Sequence, residues 1–140
     1  MTRLTTTQLA AGRLAPGVYR FAQVHLPRQT GVALAARNVR VSHATLADAA
    51  DRDELFARLG AAFEFPDWFG RNLDALADCL SEIDEARCVE ITAVDALPQP
   101  LRATLHDIVD VLNDHADCGG SIVTVVCTMA DLPNTRLLTR

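Results

Sequence analysis

The sequence predicts an α/β protein in which a small parallel β-sheet is packed with helices. From Asn38 onward the segments run strand, helix, helix, strand, helix, strand, and strands joined through helices favour parallel pairing with right-handed crossovers. Residues 121–127 (SIVTVVC) are mostly β-branched and apolar, which is typical of a central strand covered on both faces. We therefore expect three core strands, with the segment around Tyr19 available as a fourth, N-terminal edge strand.

The first 37 residues carry the weakest signals of regular structure. Residues 1–15 show no apolar periodicity, so we expect them to be poorly structured. Apolar and polar residues alternate over 17–21 (GVYRF), which predicts a short strand that continues weakly to Leu26, before Pro27. Residues 32–37 predict either a short helix or a loop.

Two helices are predicted after a strand at residues 38–41. Over 51–63, Leu55, Leu59 and Ala62 form one apolar stripe, and an aspartate at 51 or 53 supplies the N-cap and first-turn charge. After an aromatic turn at 64–71, apolar residues over 72–83 recur at spacings of three, four and three. That spacing predicts an inward-facing stripe, made of Leu73, Leu76, Leu80 and Ile83.

The last third of the chain predicts strand, helix, strand and tail. Residues 87–94 form the strand, and prolines 98 and 100 then open a long helix, because the first helical turn needs no backbone donor. Gly119 and Gly120 end that helix. The strand at 121–127 follows, and we expect the last dozen residues to form a loose tail.

Length and composition favour one domain. The chain has 140 residues, of which 49% are hydrophobic and 22% charged, as in ordinary globular proteins. We expect a single domain that consists of an N-terminal extension (1–37), a core (38–128) and a C-terminal tail (129–140).

No apolar stretch reaches the roughly 18 residues of a membrane span, and residues 1–11 lack the apolar core of a secretory signal. We expect a soluble, cytoplasmic protein that is monomeric when free.

Charge is divided unevenly along the chain. The net charge is −5, yet residues 1–47 contain six arginines and no acid, and the remainder carries all 18 acids against seven arginines. An acidic surface of this kind repels nucleic acid and attracts basic proteins. We therefore expect a basic protein partner, and neither nucleic acid nor membrane as a ligand.

The cysteines and histidines predict no metal or cofactor site. Four cysteines occur without a CxxC pair, and we expect them to be buried free thiols. His106 and His115 lie nine positions apart on the long helix, about two and a half turns, so they point to opposite sides and do not share an ion.

The most informative stretch is residues 65–80 (FPDWFGRNLDALADCL). Aromatic residues and a glycine make a turn, and Asn72 can cap the helix that follows. Asp74 and Asp78 are four residues apart and so share one helix face. Side by side on a rigid helix, two carboxylates next to an exposed aromatic predict a surface that binds a cationic partner.

This stretch resembles the signature of the barstar family, the bacterial intracellular inhibitors of secreted ribonucleases. The resemblance covers roughly residues 38–128, and ten positions within 65–80 fit the family pattern: Pro66, Gly70, Asn72, Leu73, Asp74, Ala75, Leu76, Asp78, Cys79 and Leu80. It implies a barstar-like fold and a protein that blocks the active site of a secreted or toxin-type ribonuclease, as an immunity protein does, and that is not an enzyme.

The resemblance also assigns roles to individual residues. Asp78 is the acid expected to enter the phosphate-binding centre of the nuclease, and Asp74 is the second acid. Trp68 stands where the family often has a tyrosine that packs on the partner. Asp114 is the best match to a further acid from the long helix, although Asp110 or Asp117 can take that role.

Two departures from the family pattern bear on the partner. Ala77 replaces an aromatic found at that position in the best-studied inhibitor, and Arg71 stands where an acid can stand. Both favour a second hypothesis, in which a regulatory module keeps the fold but binds another basic protein. A third hypothesis is a hydrolase that uses Asp74 and Asp78 as acid and base, which requires a deep pocket near Asp78.

Overall fold

Six parallel strands form one sheet at the centre of the protein. The structure is a computed structural model that describes residues 3–140. The strands are β1 (Leu4–Thr5), β2 (Gly17–Phe21), β3 (Arg40–Thr45), β4 (Arg87–Thr92), β5 (Ile122–Cys127) and β6 (Arg136–Thr139), in the spatial order β1-β6-β2-β5-β4-β3. Every neighbouring pair is parallel. The α/β class with a parallel sheet is confirmed, but six strands replace the expected three or four.

Five helices within the described residues 3–140 connect and cover these strands. They are α1 (Thr6–Ala10), α2 (Arg28–Ala36), α3 (Arg52–Ala62), α4 (Leu73–Ser81) and α5 (Gln99–Asp117). The larger apolar core joins α3, α4 and α5 to one face of the sheet, and a smaller core joins α1 and α2 to the other. Both faces are therefore covered, as the apolar sequence of β5 predicts. None of the helices within residues 3–140 has the length and apolar character needed to cross a membrane.

The N-terminal segment departs most from the sequence predictions. Residues 1–15 were expected to be poorly structured, but from residue 4 they form β1 and α1. Thr5 caps α1 by accepting a hydrogen bond from the Gln8 backbone (3.2 Å), and the Gln8 side chain accepts one from the Thr5 backbone (2.8 Å). This capping box is visible in the sequence as a threonine followed three residues later by glutamine. Residues 1 and 2 lie outside the described part.

Two further predictions about the termini are corrected, and a third, left open between a helix and a loop, is decided. The strand that contains Tyr19 is interior rather than at an edge, because it pairs with β5 on one side and β6 on the other. The expected loose tail contains β6, whose Leu138 is buried in the smaller core. The ambiguous segment at 32–37 belongs to α2, which begins four residues earlier, at Arg28.

Cys88 and Cys127 are buried free thiols, as expected, and so is Cys79, but Cys118 is exposed at the end of α5. Burial is the main cause that raises the pKa of both Cys88 and Cys127 to about 12.

Because the thiolate is the reactive form, we expect one of the four thiols, the exposed Cys118, to react rapidly with Ellman's reagent in the native protein. Four should react after unfolding, and a Cys118→Ser variant should lose the rapid phase. Rapid native reaction of two or more thiols would contradict this arrangement.

Candidate partner-binding surface

An aromatic cluster fixes the turn between α3 and α4. The ring centroids of Phe63 and Phe65 are 5.4 Å apart, those of Phe65 and Phe69 are 4.9 Å apart, and those of Phe56 and Phe69 are 6.4 Å apart. Gly60 on α3 allows this approach, since a Cβ there would lie 2.9 Å from Cδ2 of Phe69. Phe69 is 9% exposed, so it covers the core at the entrance to α4.

The side chain of Trp68, in contrast to that of Phe69, points to solvent. It lies one residue before Phe69, and 74% of it is exposed. The buried phenylalanine on its C-terminal side therefore anchors a turn that displays an indole to solvent. Large apolar side chains exposed beside charged groups are typical of protein-binding surfaces.

Helix α4 begins at Asn72, as predicted. The Asn72 side chain accepts a hydrogen bond from the Ala75 backbone N–H (2.8 Å) and donates one to the Gly70 carbonyl (3.1 Å). Its side chain is thus engaged in capping. Leu76, Cys79 and Leu80 face the core, which leaves the opposite face of the helix in solvent.

The exposed face of α4 carries Asp74, Ala77 and Asp78. Within residues 3–140, neither carboxylate forms an ion pair or a hydrogen bond. The backbone carbonyl of Asp78 accepts a hydrogen bond from Ser81 Oγ (2.6 Å). Asp74 lies in the first turn, where the helix dipole favours an acid. The two carboxylates are therefore held by the backbone of a rigid helix and are open to a partner.

Arg71 supplies a cation at the edge of this acidic face. It adopts a left-handed backbone conformation (φ 53°), and its Nη1 lies 2.7 Å from Oδ2 of Asp53 on α3. Both side chains are largely exposed. The sequence shows Arg71 as a departure from the family pattern, but no local pattern indicates Asp53 as its partner, because 18 residues separate them.

The acids of the long helix α5 lie in a different environment from those of α4. Asp110, Asp114 and Asp117 line an open basin together with Asn113 and Asn134. Oδ1 of Asp110 accepts a hydrogen bond from the Asn134 side chain (2.8 Å). Asp114 is exposed, and no hydrogen bond or ion pair within residues 3–140 connects it to α4.

Within residues 3–140, the surroundings of Cys79 do not favour a nucleophile, and the acids do not gather into a metal site. Burial, followed by the charges of Asp78 and Glu82, raises the pKa of the Cys79 thiol, and a raised pKa suppresses the nucleophilic thiolate. Among the residues that the structure describes, no group of three or more histidine, cysteine, aspartate or glutamate side chains could hold a metal ion. Five cavities within residues 3–140 are lined by residues other than Asp74 and Asp78.

A comparison with known protein families identifies the family of this chain. The family described as "Barstar (barnase inhibitor)" matches residues 39–129, well over half of the chain. The chain belongs to the barstar family. The match begins at the start of β3 and ends just after β5, so β1, α1, β2, α2 and β6 lie outside the matched part of this barstar-family protein. No curated protein matches the chain.

The cap at Asn72 gives a prediction for the stability of this surface. Replacing it with alanine leaves the Ala75 N–H without its acceptor, and we expect a loss of about 1 kcal/mol in the free energy of unfolding. Asn72→Asp keeps a capping oxygen and should restore most of that loss. Urea unfolding followed by circular dichroism tests both variants. Equal stability of Asn72→Ala and the natural chain would contradict the capping role.

Proposed function

We propose that this barstar-family protein inhibits a secreted or toxin-type ribonuclease by placing the acids of α4 in the nuclease active site. The observation that carries the proposal is the pair Asp74 and Asp78, exposed on a preformed helix and without an ion pair in the described chain. The family's description as a barnase inhibitor supports the same role. The inhibitor acts in the cytoplasm of the cell that makes the nuclease or needs immunity to it.

The chemistry of ribonuclease catalysis explains why carboxylates block it. The active site must bind a phosphodiester and stabilise additional negative charge in the transition state, so it is cationic. A carboxylate offers two oxygens that arginine can bind in a bidentate manner, as it binds phosphate. Helix α4 fixes the backbone of both acids before binding, which reduces the ordering cost of association.

The neighbouring residues complete the proposed contact surface. Trp68 packs its exposed indole on the nuclease, and Asn72 and Ala77 lie at the contact on the same turn and helix. Asp114 adds a charge from α5 at the rim, with Asp110 and Asp117 as alternatives. The partner is basic, since a chain of net charge −5 attracts positive proteins over a distance and its association weakens with salt.

Inhibition assays test the proposal directly. Purified protein is titrated into a panel of microbial guanyl-type ribonucleases, and RNA cleavage is followed at each ratio. We expect at least one nuclease to lose activity stoichiometrically. Affinity capture from the native organism identifies the partner independently.

A second candidate function rests on the pair formed by Arg71 and Asp53. Arg71 lies just before α4, and Asp53 neutralises it. A cation at this position is less favourable than an acid for docking into a purely cationic cleft, and it favours a regulatory module that keeps the fold and binds another basic protein. In that case no ribonuclease of the panel is inhibited, and capture from the native organism yields a basic protein that lacks nuclease activity.

A further inference from the structure

A concave crevice opens at the carboxyl ends of the strands. One cavity of about 500 Å³ lies between the start of α5 and the loop that joins β5 to β6. A second, of about 290 Å³, is lined by the segments that follow β2, β3, β4 and β5, and it shares Val94, Asp95 and Met129 with the first. Open α/β sheets bind ligands outside the carboxyl ends of their strands, and small-molecule pockets measure roughly 300–1,000 Å³.

Specific hydrogen bonds hold the walls of the larger cavity in place. The carboxylate of Asp95 accepts hydrogen bonds from the Thr128 hydroxyl and from the Met129 backbone N–H (3.0 Å). Arg102 donates from Nε to the Leu97 carbonyl (2.8 Å) and from Nη2 to the Asp95 carbonyl (2.8 Å). The loop after β4 is therefore joined both to α5 and to the loop after β5, so the cavity is preformed.

The backbone at this edge is also strained. Ala93, the first residue after β4, has a φ of 60°, a left-handed conformation that is uncommon for residues other than glycine and asparagine. Strain of this kind persists where surrounding contacts impose it, and it clusters at ligand sites. Here the imposed conformation places Val94 and Asp95 in the cavity wall.

The lining combines an apolar surface with unused hydrogen-bond donors. Val94, Leu105 and Leu132 are buried side chains of the wall, whereas Met129 is 73% exposed. Within residues 3–140, the Nη1 of Arg102 and the side chains of Gln99 and His106 form no hydrogen bond.

The two acidic side chains of the cavity lining already have partners within the protein. Asp95 binds Thr128 and Met129. Asp131 pairs with Arg20 at 3.4 Å and is almost fully exposed, so it lies at the rim. Asp95 keeps its negative charge, because Thr128 and Met129 are neutral donors, but both of its carboxylate oxygens are occupied. The hydrogen-bonding groups left open to a ligand inside the cavity are therefore donors, and Arg102 is the cation among them.

We propose that this cavity binds a small, largely apolar carboxylic acid. Its apolar body packs against Val94, Leu105 and Leu132, and its carboxylate accepts hydrogen bonds from Arg102, Gln99 and His106. No lining residue belongs to α4 or to the aromatic turn. This site is therefore separate from the proposed nuclease-binding surface and does not depend on the proposed function.

Amide-resolved NMR titration with 4-phenylbutyrate tests the proposal on the full chain. We expect saturable shifts centred on residues 94–95, 99–106 and 128–132, with a dissociation constant in the low-millimolar range or tighter, as suits a ligand of about a dozen non-hydrogen atoms. The neutral amide of the same acid should bind at least about fivefold more weakly, because it cannot form the charge-assisted bond. Equal binding of acid and amide, shifts centred elsewhere, or no saturable shift would overturn the proposal.

Two variants with a matched control assign the carboxylate contact. Arg102→Gln should weaken 4-phenylbutyrate about tenfold, and His106→Ala about threefold. His25→Ala removes an exposed histidine that does not line the larger cavity and should bind as the natural chain does. Arg102 also donates hydrogen bonds to two backbone carbonyls, so the amide dispersion of the NMR spectrum is used to verify that the Arg102→Gln variant is folded. His106→Ala breaks no internal hydrogen bond in the described chain and therefore tests the site independently. Unchanged affinity in both folded variants would refute the proposed contact.

Discussion

Alanine in place of Asp78 is expected to weaken ribonuclease inhibition by roughly two to four orders of magnitude. In the proposed complex the carboxylate lies in a cationic cleft, and its removal leaves buried cations without their partner, at a cost of about 3–5 kcal/mol. The free protein should become slightly more stable, by about 0.2–0.5 kcal/mol, because Asp74 and Asp78 are like charges four residues apart on α4. Inhibition titrations and urea unfolding measure the two effects separately.

Asp107→Ala is the matched control for this prediction. Asp107 is also an exposed acid on a helix, but it lies on α5, outside both the α4 face and the basin of Asp114. Its replacement changes the net charge equally and should leave inhibition nearly unaltered. If Asp78→Ala inhibits as well as Asp107→Ala, then α4 does not enter the active site.

Alanine in place of Phe69 is expected to destabilise the free protein by about 3–5 kcal/mol. Phe69 packs on Phe56 and Phe65, and truncation of a buried phenylalanine combines lost transfer free energy with the cost of a cavity. The turn that displays Trp68 loses its anchor at the same time. Equilibrium urea unfolding followed by circular dichroism gives the change in the free energy of unfolding.

Trp68→Ala provides the comparison for the neighbouring position. Because most of Trp68 is exposed, its removal should alter the free energy of unfolding by less than about 0.5 kcal/mol while weakening inhibition. A Phe69→Ala variant as stable as Trp68→Ala would show that the aromatic cluster does not hold the turn.

The sequence predicts the matched core far better than the flanking segments. Helices α3, α4 and α5 are long enough for their apolar stripes to repeat, and β5 is distinctive in composition. In contrast, β1 has two residues and α1 has five, which is too short for periodicity to distinguish a helix from a strand or a loop. The pairing of β6 with β1 and β2 is a long-range contact that no local pattern encodes.

The candidate site shows the same division between local and long-range features. Exposure of Asp74 and Asp78 follows from the apolar stripe on the opposite face of α4, so sequence alone predicts it. The pair Arg71–Asp53 depends on a left-handed turn that brings two helices together. Likewise, the acids of α5 share one helix face in sequence, and only the fold reveals that Asp110 is hydrogen-bonded to Asn134.

The position of β6 has a consequence for biosynthesis. Strand β6 lies between β1 and β2, so β1 has no neighbouring strand until residues 136–139 have left the ribosome. Until then β2 has only β5 beside it, and its other edge stays open. The sheet is therefore completed only after β6 has been synthesised, and a nascent chain held short of Arg136 exposes a template for pairing with other polypeptides.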